Sequence, residues 1–241
     1  TVTRSTITYT DNSTPPALIQ RAEYLTSTST VNTYSYLDGL SRPIQDRKSS
    51  ENSASTTVTD RTYDSTGALA SVSLPYFAGG TSYASATSTS ALFTTYAYDP
   101  LQRVTQETNA AGTTNTVYAR WTSTITDPKG NIKALTRDAY GNLAQVVEHA
   151  DSNFSTNYTY DGADNLTSIT DALSNVRNFT YDGLNRLLTA QDLHTSADTS
   201  YGTSTYNYDA QSNLISSTNP NGYVVNRTYD NLNRILTEDF T

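Results

Sequence analysis

Tyr-Asp recurs along this chain at Tyr63-Asp64, Tyr98-Asp99, Tyr160-Asp161, Tyr181-Asp182, Tyr208-Asp209 and Tyr229-Asp230, each time just ahead of a short polar break. Leu37-Asp38 and Arg137-Asp138 are degenerate copies. Aligned on the aspartate, the third residue after it reads Ser41, Gly67, Gln102, Gly141, Asp164, Asn185, Ser212 and Asn233, and the fifth reads Pro43, Leu69, Val104, Leu143, Leu166, Leu187, Leu214 and Ile235. One column is mostly turn residues and the other mostly aliphatic. Self-similarity of this kind decides the architecture before any single residue does.

The repeating unit reads as a β-hairpin. An aspartate at the mouth of a turn accepts a hydrogen bond from the backbone two residues on, and Gly or Asn three residues later tolerates the left-handed conformation of a type I turn followed by a bulge. The aspartate then faces the residue four later. The tyrosine before it faces the aliphatic residue, an aromatic–aliphatic cross-strand pair worth about 0.2 to 1 kcal/mol. Basic residues at the fourth place, Arg42, Arg103, Arg186 and Arg234, are positioned to pair with the aspartate; an exposed pair contributes about 0 to 1 kcal/mol.

A second family of turns lies between the motifs: "DPKGNI" from Asp127, "NPNGYV" from Asn219, "DALSNV" from Asp171 and "NAAGTT" from Asn109, all expected to follow the same grammar. Steps of ten and then eleven residues, from Asp161 to Asp171 to Asp182, are the pitch of short strands joined by tight turns. The longer intervals, Asp64 to Asp99 and Asp182 to Asp209, read as the same meander with an enlarged loop. Residues 1–33 are an irregular N-terminal β segment, broken by Pro15-Pro16, that holds a possible pairing strand; residues 34–241 carry about eight repeats. The expected fold is all-β, a repetitive antiparallel hairpin meander.

Composition sharpens this. Ser and Thr make up 71 of the 241 residues, and 19 Tyr far outnumber 5 Phe, which suits half-buried pleated surfaces. A net charge of −8 argues against nucleic acid or an anionic membrane as partner. No apolar run is long enough to span a bilayer, so membrane insertion is not expected. With no cysteine there is neither a disulfide nor a thiolate metal site. The first residue is not methionine, and the chain is expected to be a processed product or a piece of something longer.

The strings "YDGLNRLL", "YDNLNRIL" and "YDPLQRVT", with a "DPKGN"-like turn between copies, resemble the YD-repeat or RHS-repeat family from about Tyr34 to the end. That resemblance, to RHS polymorphic toxins, the B and C components of toxin complexes and the teneurins, implies a long β-ribbon spiralling into a shell or tube wall. Family toxins close their repeats with a plug and a self-cleavage segment, and nothing after Asp230 resembles one. About eight repeats are too few to close a shell of the family's usual size, so one copy is not expected to enclose a cargo.

Catalytic candidates are weak. His149 and His194 stand in polar stretches without a third ligand, and the aspartates are equivalent turn formers rather than one special acid pair. Neither a catalytic residue, a metal site nor a cofactor is expected. Tyrosines outside the motif, among them Tyr9, Tyr36, Tyr83, Tyr201, Tyr206 and Tyr223, are candidate sugar-stacking platforms. The function expected is a structural module of a secreted or cell-surface bacterial protein, as shell wall, scaffold or self-assembling fibre, whose partners are other copies or neighbouring repeats through sheet edges. A surface adhesin or glycan-binding module is the alternative.

Overall fold

The computed structural model describes residues 5–10, 16–24, 30–49, 55–85, 92–149, 153–195 and 197–241. Residues 1–4 of the expected pairing strand, and Pro15, lie outside them. The chain forms two compact units, 1–116 and 117–241.

The strands that begin in the first unit are β1 (Ser5–Thr10), β2 (Ala17–Tyr24), β3 (Thr30–Leu37), β4 (Pro43–Ser49), β5 (Ser55–Tyr63), β6 (Leu69–Ser73), β7 (Tyr76–Gly79), β8 (Phe93–Tyr98), β9 (Val104–Asn109) and β10 (Gly112–Ala119). They pair antiparallel in chain order from β1 to β5, and on through β6, β8, β9 and β10. The stretch before Tyr34 is thus regular among the described residues. Its three strands pair without a bulge, Ala17 facing Leu37 and Tyr9 facing Ile19, so the pleat is continuous although the motif phase is not legible there.

The second unit continues with β11 (Thr122–Thr126), β12 (Ile132–Arg137), β13 (Leu143–His149), β14 (Asn153–Tyr160), β15 (Leu166–Thr170), β16 (Asn175–Tyr181), β17 (Leu187–Gln191), β18 (His194–Thr195), β19 (Thr203–Tyr208), β20 (Leu214–Thr218), β21 (Val224–Tyr229) and β22 (Ile235–Phe240). The meander runs from β11 to β17 and then through β19 to β22.

The two long intervals are forks rather than enlarged loops. β5 pairs along one edge with two successive strands, Arg61–Tyr63 with β6 and Ser55–Val58 with β7. After Ser73 the chain steps at Leu74-Pro75, continues along β5 as β7, and returns to place β8 against β6. The Leu74 amide donates to the Leu92 carbonyl at the step. The second unit repeats the device: β16 pairs with β17 and then β18, β19 returns against β17, and the Asp192 amide donates to the Gly202 carbonyl. Gly202 lies against Pro220, whose ring a Cβ at this position would overlap.

Register is uniform. Tyr63 faces Leu69, Tyr98 faces Val104, Tyr160 faces Leu166, Tyr181 faces Leu187, Tyr208 faces Leu214 and Tyr229 faces Ile235, and behind each pair the ladder slips by one residue. The sixth residue after every motif aspartate is therefore an extra, bulged one, which bends the strand and raises its twist. Between consecutive hairpins the seventh residue after an aspartate faces the third residue before the next tyrosine. Gln45 faces Asp60, Ser71 faces Thr95, Gln145 faces Asn157, Ser168 faces Asn178, Thr189 faces Thr205 and Ser216 faces Asn226.

Most strand residues are half-buried. Among the described residues the fully enclosed apolar ones are few, Tyr36, Val58 and Ala190, and they are joined by polar Gln45, Arg47, Thr56, Asp60 and Ser73.

Candidate functional site

At the motif turn the chemistry sits on one aspartate. Asp182 Oδ1 accepts the amides of Leu184 and Arg186 at 2.9 and 3.0 Å, and Asp182 Oδ2 accepts Arg186 Nε at 2.6 Å. The same pair of amide bonds recurs at Asp38, Asp64, Asp99, Asp138, Asp161, Asp209 and Asp230. Donors that point at a charged oxygen stabilise it. The Arg186 amide and guanidinium hold the Asp182 carboxyl below the usual carboxylate range, and at Asp209 the Asn213 side chain is the main cause. The third residue closes the loop at positive φ in all eight copies: Ser41 (61°), Gly67 (92°), Gln102 (61°), Gly141 (94°), Asp164 (62°), Asn185 (61°), Ser212 (68°) and Asn233 (60°).

Where the fourth residue is arginine or asparagine it clamps the aspartate; after Asp64 it is Ala68, and Thr66 Oγ1 donates to Asp64 Oδ1 instead. Arg103 and Arg234 reach Asp99 and Asp230 through Nε at 2.7 and 2.6 Å, and Asn165 and Asn213 do the same through Nδ2 at 3.0 and 2.8 Å. A search for basic residues passes over these asparagines, although the aligned column displays them. Asn131 and Asn175 clamp Asp127 and Asp171 likewise in the intervening turns. The Asn109 turn departs from that grammar: Gly112 faces Asn109, so the loop closes over Ala110 and Ala111 alone.

The tyrosine does more than face its aliphatic partner. Its hydroxyl reaches back one motif: Tyr63 donates to the carbonyl of Pro43 (3.0 Å), Tyr98 to Leu69 (2.8 Å), Tyr160 to Leu143 (3.0 Å), Tyr208 to Leu187 (3.0 Å) and Tyr229 to Leu214 (2.9 Å). Each acceptor is the aliphatic residue of the preceding motif, where the inter-hairpin ladder has ended and a backbone carbonyl needs a donor. Tyr181 is not among these donors. Where the preceding fourth residue is arginine, its guanidinium lies over the same ring, Arg42 on Tyr63 at 4.3 Å and Arg186 on Tyr208 at 4.8 Å. Consecutive turns are also stitched by side chains: Asn165 Nδ2 donates to Asn185 Oδ1 and Asn213 Nδ2 to Asn233 Oδ1, both at 3.0 Å.

A buried polar cluster stands beside the fork of the first unit. Arg47, 2% exposed, donates through Nε to Gln45 Oε1 at 2.7 Å and through Nη1 to the Gly79 and Gly80 carbonyls at 3.2 Å. Gln45 passes the contact on, its Nε2 donating to Asp60 Oδ1 and to the Ala84 carbonyl. Tyr76 Oη donates to Asp60 Oδ2 at 2.6 Å. Burial first, and then the Asp60 carboxylate, push the Tyr76 hydroxyl up to about 12. No buried side-chain polar atom lacks a partner among the described residues. Arg47 and Asp60 are joined through a neutral amide, and the cluster's donors hold the backbone of Gly79–Ala84. In sequence "PIQDRKS" reads as a solvated strand, so nothing there signals a buried arginine.

The two histidines do not converge. His194 stacks on Tyr201 with ring centroids 3.6 Å apart, His149 ends β13, and no cluster able to hold a metal occurs among the described residues. Of the extra-motif tyrosines, Tyr36 is buried against Tyr83 and donates to the Thr81 carbonyl, whereas Tyr206 and Tyr223 line, with Phe240, Ser204 and Asn219, an open groove of about 620 Å³ in the second unit.

A family model described as RHS Repeat matches residues 155–201 and 202–239, and one described as a domain of unknown function, DUF6443, matches residues 5–122. Comparison with curated proteins gives no match. Among solved structures, TcdB2-TccC3 superposes with a TM-score of 0.78 at 14% identity over 99% of this chain, and TcdB2-TccC3-Cdc42 with 0.76 at 16% over 94%. The Tc holotoxin pore of Photorhabdus luminescens aligns with a TM-score of 0.52 at 12% identity over 94%. The chain spans only 14% of the length of the first two of these and 19% of the third.

Proposed function

Because residues 155–201 and 202–239 match the RHS Repeat model and the chain has the fold of the toxin-complex repeat wall, we propose that it is a non-catalytic wall or scaffold segment of a secreted or cell-surface bacterial protein. The observation that carries this is the disposition of its reactive groups. Every motif aspartate is occupied by the amides of its own turn, five motif tyrosines are committed to the neighbouring hairpin, and the buried Asp60 is bonded to Gln45 and Tyr76. An enzyme needs one singular, accessible arrangement; here the same arrangement is repeated and spent on joining hairpins. Purified protein is expected to leave glycoside, peptide and phosphoester reporter substrates unchanged. Turnover abolished by Asp60→Asn with the fold retained would overturn the reading, and protease shaving of intact producing cells tests the exterior location.

A second reading, glycan adhesion, draws on the groove between half-buried Tyr206 and exposed Tyr223 and Phe240, where the rings lie beside hydroxyl and amide groups. Binding on a glycan array that disappears in Tyr223→Ala would favour it over the scaffold.

A further inference from the structure

Beyond β7 the chain lies as a strap across one face of β3, β4 and β5, the face on which Tyr36 is opposite Gln45 and Arg47 is opposite Val58. Side chains of that face hold the strap by its main chain. Thr56 Oγ1 is 3.1 and 2.9 Å from the carbonyls of Ala78 and Gly80, and Arg47 Nη1 donates to Gly79 and Gly80. Tyr36 Oη donates to the Thr81 carbonyl, and Gln45 Nε2 to that of Ala84 at 2.6 Å. The Ala84 amide returns a bond to Gln45 Oε1. Each of these bonds ends on the backbone of the strap. Tyr83 adds a ring contact, its centroid 5.7 Å from that of Tyr36.

The receiving groups are fixed by bonds that do not involve residues 80–84. Arg47 Nε is held by Gln45 Oε1, Gln45 Nε2 by Asp60 Oδ1, and Asp60 by Tyr76 Oη and, through its amide, by Ser73 Oγ. Arg47 and Asp60 balance one another through the glutamine amide, so the hollow suits neutral acceptors rather than an anion. The strap is held more lightly. Its ladder pairing with β5 ends at Gly79, and residues 79–85 are exposed throughout, whereas Gln45 and Arg47 beneath them are 0% and 2% exposed. A surface segment with few apolar contacts opens at low cost relative to the sheet below it. Gly80 bends the strap at φ 72°, with open space where a Cβ would stand.

We propose that the hollow lined by Tyr36, Gln45, Arg47 and Thr56 is a binding site for an extended, uncharged polypeptide segment, and that residues 80–84 are its resident, displaceable occupant. Main-chain bonds supply the affinity, as they do wherever a peptide is recognised by its backbone. Selectivity is confined to an aromatic residue just ahead of the carbonyl that Gln45 receives, the place Tyr83 takes against Tyr36. Because the donors are already oriented, an incoming segment orders only itself. The site lies within residues 5–122, the part matched by the model of unknown function, and it is independent of whether the protein serves as a wall or binds glycans.

Gly80→Val strains the strap at its bend without filling the hollow, and Gly80→Ala serves in its place if Val disturbs the circular dichroism. Chymotrypsin is expected to cut after Tyr83 about tenfold faster in the variant, since cleavage follows the open population. A labelled peptide of sequence AGGTSYA, blocked at both ends, is expected to bind the full-length variant about tenfold more tightly than it binds the wild type, whose site is filled. Changing the peptide's Thr and Ser to Ala should leave its affinity unaltered. Replacing the amide after its second glycine by an ester, a weaker acceptor, should reduce affinity about fivefold, as should Tyr36→Phe added to the variant. Three results overturn the proposal: cutting no faster than in the wild type, which would make the strap a fixed part of the sheet; an opened variant that does not bind the peptide; or binding that depends on the Thr and Ser side chains and not on the ester.

Discussion

The hydroxyl of Tyr208 donates to the carbonyl of Leu187, 3.0 Å away and 21 residues earlier, across the boundary between one hairpin and the next. This explains why the motif uses tyrosine where phenylalanine has the same ring. Tyr208→Phe keeps the ring under Arg186 but removes the donor, and is expected to cost about 0.5 to 1.5 kcal/mol. Tyr181→Phe, whose hydroxyl makes no such bond, is expected to cost nearly nothing. Equilibrium unfolding in urea of the two variants checks this, and equal losses would remove the hydroxyl from the account.

The turn position makes a separate claim. Asn185 sits at φ 61° and Ser174 at φ 65°, a conformation that costs an ordinary L-residue about 1 to 2 kcal/mol. Ser174→Gly is expected to stabilise by up to about 1 kcal/mol once glycine's extra chain entropy is set against the relieved strain. Asn185→Val is expected to destabilise by about 1 to 2 kcal/mol, since a β-branched side chain tolerates positive φ poorly. Thermal melts that rank the two substitutions the other way round would contradict the bulged hairpin.

The sequence displays the turn because a turn is local. Asp182 and Asn185 are three residues apart, and everything that fixes their geometry lies within the same few residues. It displays the pairing of Tyr181 with Leu187 for the same reason. What it hides is long-range. The partner of the Tyr208 hydroxyl belongs to another hairpin, and the bulge at Leu188 or Ile215 leaves no mark on a column of unlike residues. Forking at Leu74-Pro75 is equally silent, because strand-forming composition does not say which edge a strand joins. Arg47 is the clearest case: its charge predicts exposure, and its burial depends on acceptors that include the carbonyls of Gly79 and Gly80, 32 and 33 residues away.

Acid should loosen the protein in a defined direction. The Asn213 side chain first, with backbone amides adding to it, holds the Asp209 carboxyl below its ordinary 3.8, and Asp161, Asp171, Asp182 and Asp230 are lowered by the same kind of donors. A carboxyl whose folded value is depressed contributes stability that is present above the unfolded value and lost as pH falls through the folded one. Melting temperature is thus expected to hold from pH 7 to about 5 and to drop below about 4, the unfolded carboxylate range. Asp209→Asn should flatten that acid limb while lowering stability at pH 7, and an unchanged limb would mean that the turn carboxyls are not what acid titrates.

Alkali should act on a different residue, and with the opposite sign. Tyr76 is pushed up to about 12 from an ordinary 10.0 by burial and by the Asp60 carboxylate that accepts its proton, while Arg47 pulls the other way. A raised folded value means that the folded protein holds the proton when the unfolded chain releases it. The stabilisation is therefore complete below pH 10 and is lost as pH rises towards 12. Tyr76→Phe deletes this titration and leaves Asp60 Oδ2 without its tyrosine donor, so the variant is expected to be less stable than the parent at pH 8. Between pH 10 and 12 the gap should close, because only the parent is losing a proton-linked contribution. Urea unfolding of both proteins at half-unit steps across that window measures the gap. A difference that stays constant to pH 12 would show that the Tyr76–Asp60 bond is a packing contact without electrostatic linkage.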